Sequence, residues 1–448
     1  MVDFPPVFER TVSTVSALSS AQSEIDRLGF HAYFRTFDET EYTTSYCELE
    51  DAHGNVRSRA AGKGNRHQSE VGSYFEALEH FYSAGYTVDR REQSGAALAT
   101  ARKVAAQPAL AKNRMIQNLA TEYPDAQMGV VEMHRYTTAE PLLYPIFPTD
   151  ARYWDNPLPG DELEYEQYLN YQGTSGSAAG VNHDEALLHA VGEIVERDAQ
   201  SLALIEWFCV DKPHVRLIEP ASLTGALADV YQAVREAAEH GTGDVGGRAV
   251  RLVDITSDLG IPVVMAVLTR PGDQASLCGL GCSISPGYAA YRAMTELIQG
   301  CHALSADPEF HLGEQRALER LADWPVLGQM LRCDLDEVLS RAVVTEQPLR
   351  RPPIETGTLT LDSALTFLQT TLEHHGFEIY WRPVAAESEH ISVVTVAVPG
   401  LEDFAKITHG YPVTPTGRGW DRWVEIFGLS DDDLAAVEAD EAESGAVR

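Results

Sequence analysis

Three stretches of the chain set carboxylates at helical spacing on the polar side of an apolar pattern. The first carries Glu76 and Glu79 within Ser73-Tyr74-Phe75-Glu76-Ala77-Leu78-Glu79-His80. The second carries Glu185, Glu193 and Glu196, followed by Arg197, and the third carries Arg292, Glu296 and Gln299. Residues three or four apart share one face of a helix, so three such helices could converge their acids on one point. Carboxylates gathered that way repel unless cations hold them, and hard oxygen donors suit Mg²⁺. Mg²⁺ in turn commonly arrives with a nucleotide phosphate. The chemistry in question is therefore metal-assisted phosphoryl transfer, although a charged face on any single helix is ordinarily a solvent face.

The elements that must position these groups follow from periodicity. At about 100° per residue, Leu187, Leu188, Val191, Ile194 and Val195 fall within roughly 120° of one another, opposite Glu185, Glu193 and Glu196. In the third helix Arg292, Glu296 and Gln299 share one side, and Ala293, Met294 and Leu297 the other. In the first, Glu76 and Glu79 lie beside Tyr74, Phe75, Leu78 and Phe81. Small-residue stretches precede two of the three. Gly62-Lys63-Gly64 and the run from Gly173 to Gly180 are predicted as turns whose backbone approaches phosphate and feeds helix N-termini. Spacing alone leaves a metal–phosphate site and ordinary solvent faces both open.

Elsewhere the pattern predicts a helix over 10–28, two strands between 31 and 49, and the first acidic helix over 67–84. It predicts helix over 97–120, irregular covering structure over 130–172, and helix over 222–240 before a glycine-rich break from Gly241 to Gly247. Strands are expected at 250–255, 261–268 and 275–284, ahead of the last acidic helix at 287–302. A charged helical region over 313–342 leads to a linker at Arg350-Arg351-Pro352-Pro353. A helix at 361–376 and strands at 377–382 and 391–398 come next, and the acidic tail from Ser430 reads as a solvated helix or frayed end. Helices and strands mixed without regular βαβ spacing imply an α+β build.

Composition narrows the function. Lys and Arg number 34 against 67 Asp and Glu, a net charge of −33, which argues against nucleic acid or an anionic membrane as main partner. The start, Met1-Val2-Asp3-Phe4-Pro5-Pro6, lacks the plan of a signal peptide, and the apolar run 261–268 is too short to span a bilayer. A cytoplasmic location is expected. Six cysteines do not make a disulfide scaffold. Cys278, Cys282, Cys301 and His302 lack the spacing of a zinc site, so buried free thiols are expected. There is no P-loop, no complete dinucleotide fingerprint, no His-Glu-x-x-His and no Gly-x-Ser-x-Gly elbow.

In order along the chain, these blocks resemble the YcaO family. Gly62-Lys63-Gly64 and the acidic helix of Glu76 and Glu79 match its first block. Ala178-Ala179-Gly180, Glu185-Ala186 and Glu193-Ile194-Val195-Glu196-Arg197 match its second, and Arg292 to Gln299 its third. Val398-Pro399-Gly400-Leu401-Glu402 is also similar to a late family segment. The resemblance implies a YcaO-type α+β fold, with mixed or antiparallel sheets and helices enclosing a central nucleotide–Mg site. Residues 1–60 would form part of the core, 61–410 the catalytic domain, and 411–448 an acidic extension.

It further implies ATP and Mg²⁺ as cofactors and a ribosomally made precursor peptide as substrate, with a partner protein or a homo-oligomer as further possibilities. A backbone amide would be activated by O-phosphorylation and closed to a macrocyclic amidine or an azoline with loss of water. The alternatives are thioamide formation with a sulfur-donating partner, or a non-catalytic, nucleotide-binding accessory role. By resemblance, Glu76, Glu79, Glu185, Glu193, Glu196 and Glu296 are candidate metal ligands, and Lys63, Ser73, Arg197, Arg292 and Gln299 candidate nucleotide contacts. Three features depart from the family pattern. His80 and Cys301 stand where arginines are usual, and the C-terminal Pro-x-Pro-x-Pro of partner-dependent azoline formers does not occur. With no room before residue 60 for a fused winged-helix domain, a stand-alone member is expected.

Overall fold

Local chemistry starts and stops the first element. Ser13 accepts the Ser16 amide at 3.2 Å to open helix α1 (Thr14–Leu28), and Gly29, at φ 69°, closes it in the left-handed region that favours glycine. The computed structural model of the chain describes residues 7–37, 41–83, 95–150, 152–241, 250–270, 272, 274–306, 309–355, 359–385 and 387–427. After α1 come strands β1 (His31–Phe37), β2 (Tyr42–Glu50) and β3 (Val56–Asn65), then helix α2 (Arg66–Ser83), which leaves β3 without an intervening loop. Strands β4 (Ala97–Thr100), β5 (Gln127–Arg135), β6 (Pro141–Pro145) and β7 (Ser177–Gly180) lead to the long helix α3 (His183–Cys209). Strand β8 (His214–Ile218) and helix α4 (Ala226–Gly241) precede β9 (Val250–Asp254), β10 (Val263–Leu268) and β11 (Leu277–Cys282). Helix α5 (Pro286–Ala306), strand β12 (Val343–Gln347), helix α6 (Leu361–His374) and strands β13 (Tyr380–Pro383) and β14 (Ser392–Ala397) follow.

The strands form three sheets. One is the antiparallel β1-β2-β3; a second runs β11-β10-β9-β8-β12, antiparallel except for the parallel β8–β12 pair; the third runs β4-β5-β13-β14-β7, with β6 also on β5. This is the α+β build with mixed and antiparallel sheets that the sequence implied. Strand β10 is buried along its whole length, as a strand covered on both faces should be. The apolar face of α3 lies where its periodicity put it, with Leu187, Leu188, Val191 and Val195 all in the main core.

Several expectations are corrected. Gly62-Lys63-Gly64 is not a turn but the end of β3, paired residue for residue with Ser45, Thr44 and Thr43 of β2. A side chain at Gly62 would run into the Ser69 carbonyl and the Ser73 amide, so the glycine lets β3 lie flush on α2. The predicted turn from Gly173 to Gly180 likewise ends as β7, which pairs with β14. The stretch 97–120 is not continuous helix. Ala97 to Thr100 pair with β5, and Thr100 and Asn113 then cap two short helices, Ala101–Ala105 and Arg114–Glu122. The stretch 130–172 contains most of β5 and all of β6 rather than only irregular cover, and the region 313–342 divides into three helices, Phe310–Arg320, Pro325–Arg332 and Leu335–Arg341. The glycine-rich break after Gly241 and the acidic tail from Ser430 lie outside the described residues.

Residues before α1 reach far across the molecule. Glu9 accepts a hydrogen bond from Ser283, and the amide and hydroxyl of Thr11 both donate to Glu185. Among the described residues no helix is long and apolar enough to cross a membrane.

Candidate active site

Helices α2, α3 and α5 bring their polar faces together against the end of β3. The Lys63 ammonium, on β3, pairs with Glu296 of α5. On α3, Arg197 stands 3.9 Å from Glu193, one helical turn away. Glu79 of α2 accepts the Ala179 amide of β7 at 3.2 Å. Arg292 of α5 donates to the Cys282 carbonyl at 3.3 Å, and its other terminal nitrogen lies 3.4 Å from His189 Nε2 on α3. Two glycines of β11 make the α5 face possible, because side chains at Gly279 and Gly281 would collide with the Ala293 and Ala289 carbonyls. A cavity lined by Phe8, Arg10, His189, Gly192, Ser283 and Arg292 runs along the same side of α3.

Electrostatics shows that the acids share one space. Burial, then Glu193 and Glu76, pushes the Glu79 carboxyl well above its ordinary value. Burial also raises Glu193, to about 7, with Arg197 opposing the rise and Glu196 adding to it. Burial raises Glu76, with Glu296 adding to the rise and His80 and Lys63 opposing it. Glu296 is the exception. Burial pushes it up, but Lys63, Arg197 and Arg292 outweigh that and hold it below the usual carboxylate value. Arg197 and Arg292 feel the same field from the other side. Desolvation lowers both, and the surrounding carboxylates reverse the effect.

The structure thus brings together Glu76, Glu79, Glu193, Glu196 and Glu296 with Lys63, Arg197 and Arg292. Three other candidates stand differently. Ser73 is fully buried against β3 and donates to the Glu70 carbonyl at 2.8 Å. Glu185, eight residues up α3 from Glu193 and about 12 Å away along the axis, is buried and engaged by Thr11. Gln299 donates to the Ala61 carbonyl at 3.1 Å, tying α5 to β3. Of the two departures from the family pattern, His80 lies 2.8 Å from the Arg59 carbonyl, while Cys301 is core, its thiol pushed up to about 12 by burial. All six cysteines are free, as expected.

Sequence reasoning missed a second set of residues around α3. Asp198 is fully buried, accepts the Glu402 amide at 3.0 Å and is held by Arg418 at 2.8 and 2.5 Å. Glu402 accepts the amides of Thr416, Gly417 and Gly419 at 3.0, 2.9 and 2.9 Å. Its presence in the Val398–Glu402 segment was the one available signal.

The donor set fits a divalent cation. Oε2 of Glu196 is buried and has no hydrogen-bond partner among the described residues, a costly state unless a ligand completes it. Among the described residues no three His, Cys, Asp or Glu side chains form a ready-made metal cage. Mg²⁺ takes one or two carboxylates and completes its shell with water and phosphate oxygens.

These observations agree with the comparisons. Residues 61–402 match the family described as YcaO cyclodehydratase, ATP- and Mg²⁺-binding, and the chain belongs to that family. ATP and Mg²⁺ are the cofactors the family resemblance implied. An uncharacterized protein in the tfuA 3′ region of Rhizobium leguminosarum bv. trifolii is 29% identical over 242 residues, covering 52% of this chain and 53% of its own. An uncharacterized protein of Methanothermobacter thermautotrophicus is 27% identical over 239 residues, covering 52% and 56%. The chain thus spans about half the length of these curated relatives. Among solved structures, the YcaO of Methanopyrus kandleri bound with AMPPCP and Mg²⁺ superposes with TM-score 0.61 at 20% identity, over 93% of this chain and 100% of that one. A heterocyclase in complex with substrate and cofactor gives 0.61 at 19% over 89% and 54%, and the E. coli microcin synthetase McbBCD complex with pro-MccB17 bound gives 0.55 at 15% over 83% and 88%. At these identities the likeness is one of fold.

Proposed function

We propose that the chain is an ATP- and Mg²⁺-dependent enzyme that activates a backbone amide of a ribosomally made peptide and closes a ring there with loss of water. The observation that supports this most directly is the unpartnered, buried oxygen of Glu196 beside Glu193 and Glu79, with Arg197, Arg292 and Lys63 interleaved. Bound Mg·ATP supplies a phosphoryl group that turns the amide oxygen into a phosphate leaving group.

The chain's own groups do the rest by placement. Glu79, Glu193 and Glu196 would hold metal, with Glu76 and Glu296 reaching it directly or through water. Lys63, Arg197 and Arg292 would meet phosphate oxygens, Arg197 and Arg292 keeping full charge in this acidic setting. Glu185 joins the metal set only by releasing Thr11, and Ser73 and Gln299 act by holding β3, α2 and α5 in register. Fixed donors and cations aimed at the phosphates need no reorganisation during transfer. The substrate is a peptide, as in the microcin synthetase complex with pro-MccB17, and a neutral or basic one is favoured by the net charge of −33. A partner protein that delivers it is part of the same reading.

The test is incubation with ATP, Mg²⁺ and precursor peptides encoded nearby, read by intact mass. Loss of one water with phosphate release, abolished by Glu196→Gln, supports cyclising activation, and fragmentation then separates a macrocyclic amidine from an azoline. Exchange of one oxygen for sulfur when sulfide is supplied would replace ring closure by thioamide formation. Tight Mg²⁺-dependent nucleotide binding with every peptide unchanged would leave the accessory role.

A further inference from the structure

The third sheet carries a polar seam on one of its faces. Trp381, Val394 and Val396 pack one way, against the core around α3. On the other face Tyr380 and Ala397 join one apolar cluster, and Ala179, Val384 and Val393 another. Between the two clusters the register sets Arg382 of β13 opposite Thr395 of β14, and Thr395 opposite Ser177 of β7. Directly opposed residues of antiparallel strands share a face, and the Ser177 and Thr395 hydroxyls meet at 3.4 Å. Arg382 is half-buried, and among the described residues its guanidinium makes no hydrogen bond or ion pair. That is unusual in a chain with 67 acids against 34 bases. Burial lowers the guanidinium to about 10, with Asp150 opposing the fall, so it keeps its charge at neutral pH. A cation drawn partly out of water without a partner burdens the fold until an anion meets it.

The seam runs toward the acidic cleft. Strand β7 is the last of its sheet, and Ala179, two residues past Ser177, gives its amide to Glu79. At about 3.3 Å per residue and about 4.8 Å per strand, Arg382 lies on the order of 12 Å from that contact, the reach of about four residues of extended peptide. We propose that Arg382, with Thr395, binds a carboxylate of the substrate peptide, either its C-terminus or an Asp or Glu side chain, about four residues from the activated amide. The assignment rests on the amide-activation reading. A guanidinium presents paired donors that match the two oxygens of a carboxylate. Ser177 donating to Thr395 leaves the threonine proton for the same ligand. Place favours a carboxylate over phosphate, because Lys63, Arg197 and Arg292, the cations assigned to phosphate, stand on other elements. The recognised anion is one group in a peptide otherwise neutral or basic, as the net charge of −33 favours.

The test uses precursor peptides encoded nearby, each prepared with a free C-terminus, with a C-terminal amide, and with every Asp or Glu in turn changed to Asn or Gln. Binding is read by calorimetry with AMPPCP and Mg²⁺ present, and KM and kcat by intact mass. Hydrogen bonds to charged groups are worth about 10–100-fold. Neutralising the recognised carboxylate should therefore weaken wild-type binding and raise KM by that factor with kcat unchanged, and the version that does so names the source. Arg382→Ala and Arg382→Gln should bind every version as wild type binds the neutralised one, while binding AMPPCP normally. Thr395→Val, close in size, should show a smaller loss confined to the peptide that carries the carboxylate. Indifference of wild type to every neutralisation overturns the assignment. So does a loss in the Arg382 variants that is equal for all versions, which marks a structural role, or a loss of AMPPCP affinity, which marks a phosphate contact. If wild type modifies no peptide, the amide-activation reading fails, and the calorimetric comparison still decides whether Arg382 binds a carboxylate.

Discussion

Two residues apart on α3, Glu196 and Asp198 are both buried carboxylates, and they are treated in opposite ways. Asp198 is met by an amide and by two nitrogens of Arg418. Glu196 keeps an oxygen that nothing in the described chain satisfies, and stands beside Glu193, a like charge raised to about 7. Removing one partner of a satisfied buried pair is expensive, whereas an unsatisfied acid is already a burden on the fold. The first therefore fixes shape and the second waits for a ligand.

The comparison breaks most sharply by mutation. Glu196→Gln should lower peptide modification by about 10³-fold, in the range seen when a preorganised charge is removed from a reaction site, while urea denaturation shows unchanged or increased stability of the ligand-free chain. A destabilised Glu196→Gln would mean that the acid serves the fold. Asp198→Ala should do the reverse, costing about 3–5 kcal/mol in denaturant titration because Arg418 and the Glu402 amide lose their acceptor.

Proton linkage sharpens the contrast. Glu79 and Glu193 hold protons in the folded chain above pH 4.5, where the unfolded chain releases them. Their effect is to lower the stability of the nucleotide-free protein as pH rises from about 4.5 to about 7. Mg²⁺ with AMPPCP should flatten that decline, measured by thermal unfolding at several pH values. Glu402, also raised to about 7 but away from the acid cluster, should leave a remainder that metal does not touch. Lys63→Ala should weaken AMPPCP binding about 10-fold in calorimetry, a modest effect for one charge–phosphate contact. Arg59→Ala, which breaks an exposed pair with Glu48 on the β2–β3 ladder, should change stability by less than about 0.5 kcal/mol.

Periodicity carried much of this into view. The amphipathic face of α3 and the shared side of Arg292 and Glu296 were legible because a 3.6-residue repeat survives in sequence whatever the fold around it. The glycine-rich stretches were misread for a physical reason. Gly62 and Gly64 look like turn residues, but one spares a strand–helix contact and the other sits at φ 126° at the end of β3, demands that only the tertiary structure reveals. Asp198 and Arg418 could not be paired from sequence, since 220 positions separate them and no periodicity links them.

The stitches made by Glu9 and Thr11 have a consequence for synthesis. Thr11 cannot reach Glu185 until 174 further residues exist, and Glu9 waits 274 positions for Ser283. Contacts of such long range form late and slowly. A chain emerging from the ribosome would therefore lack these stitches to Glu185 and Ser283, and the third acidic helix with Glu296, until most of the chain has been made.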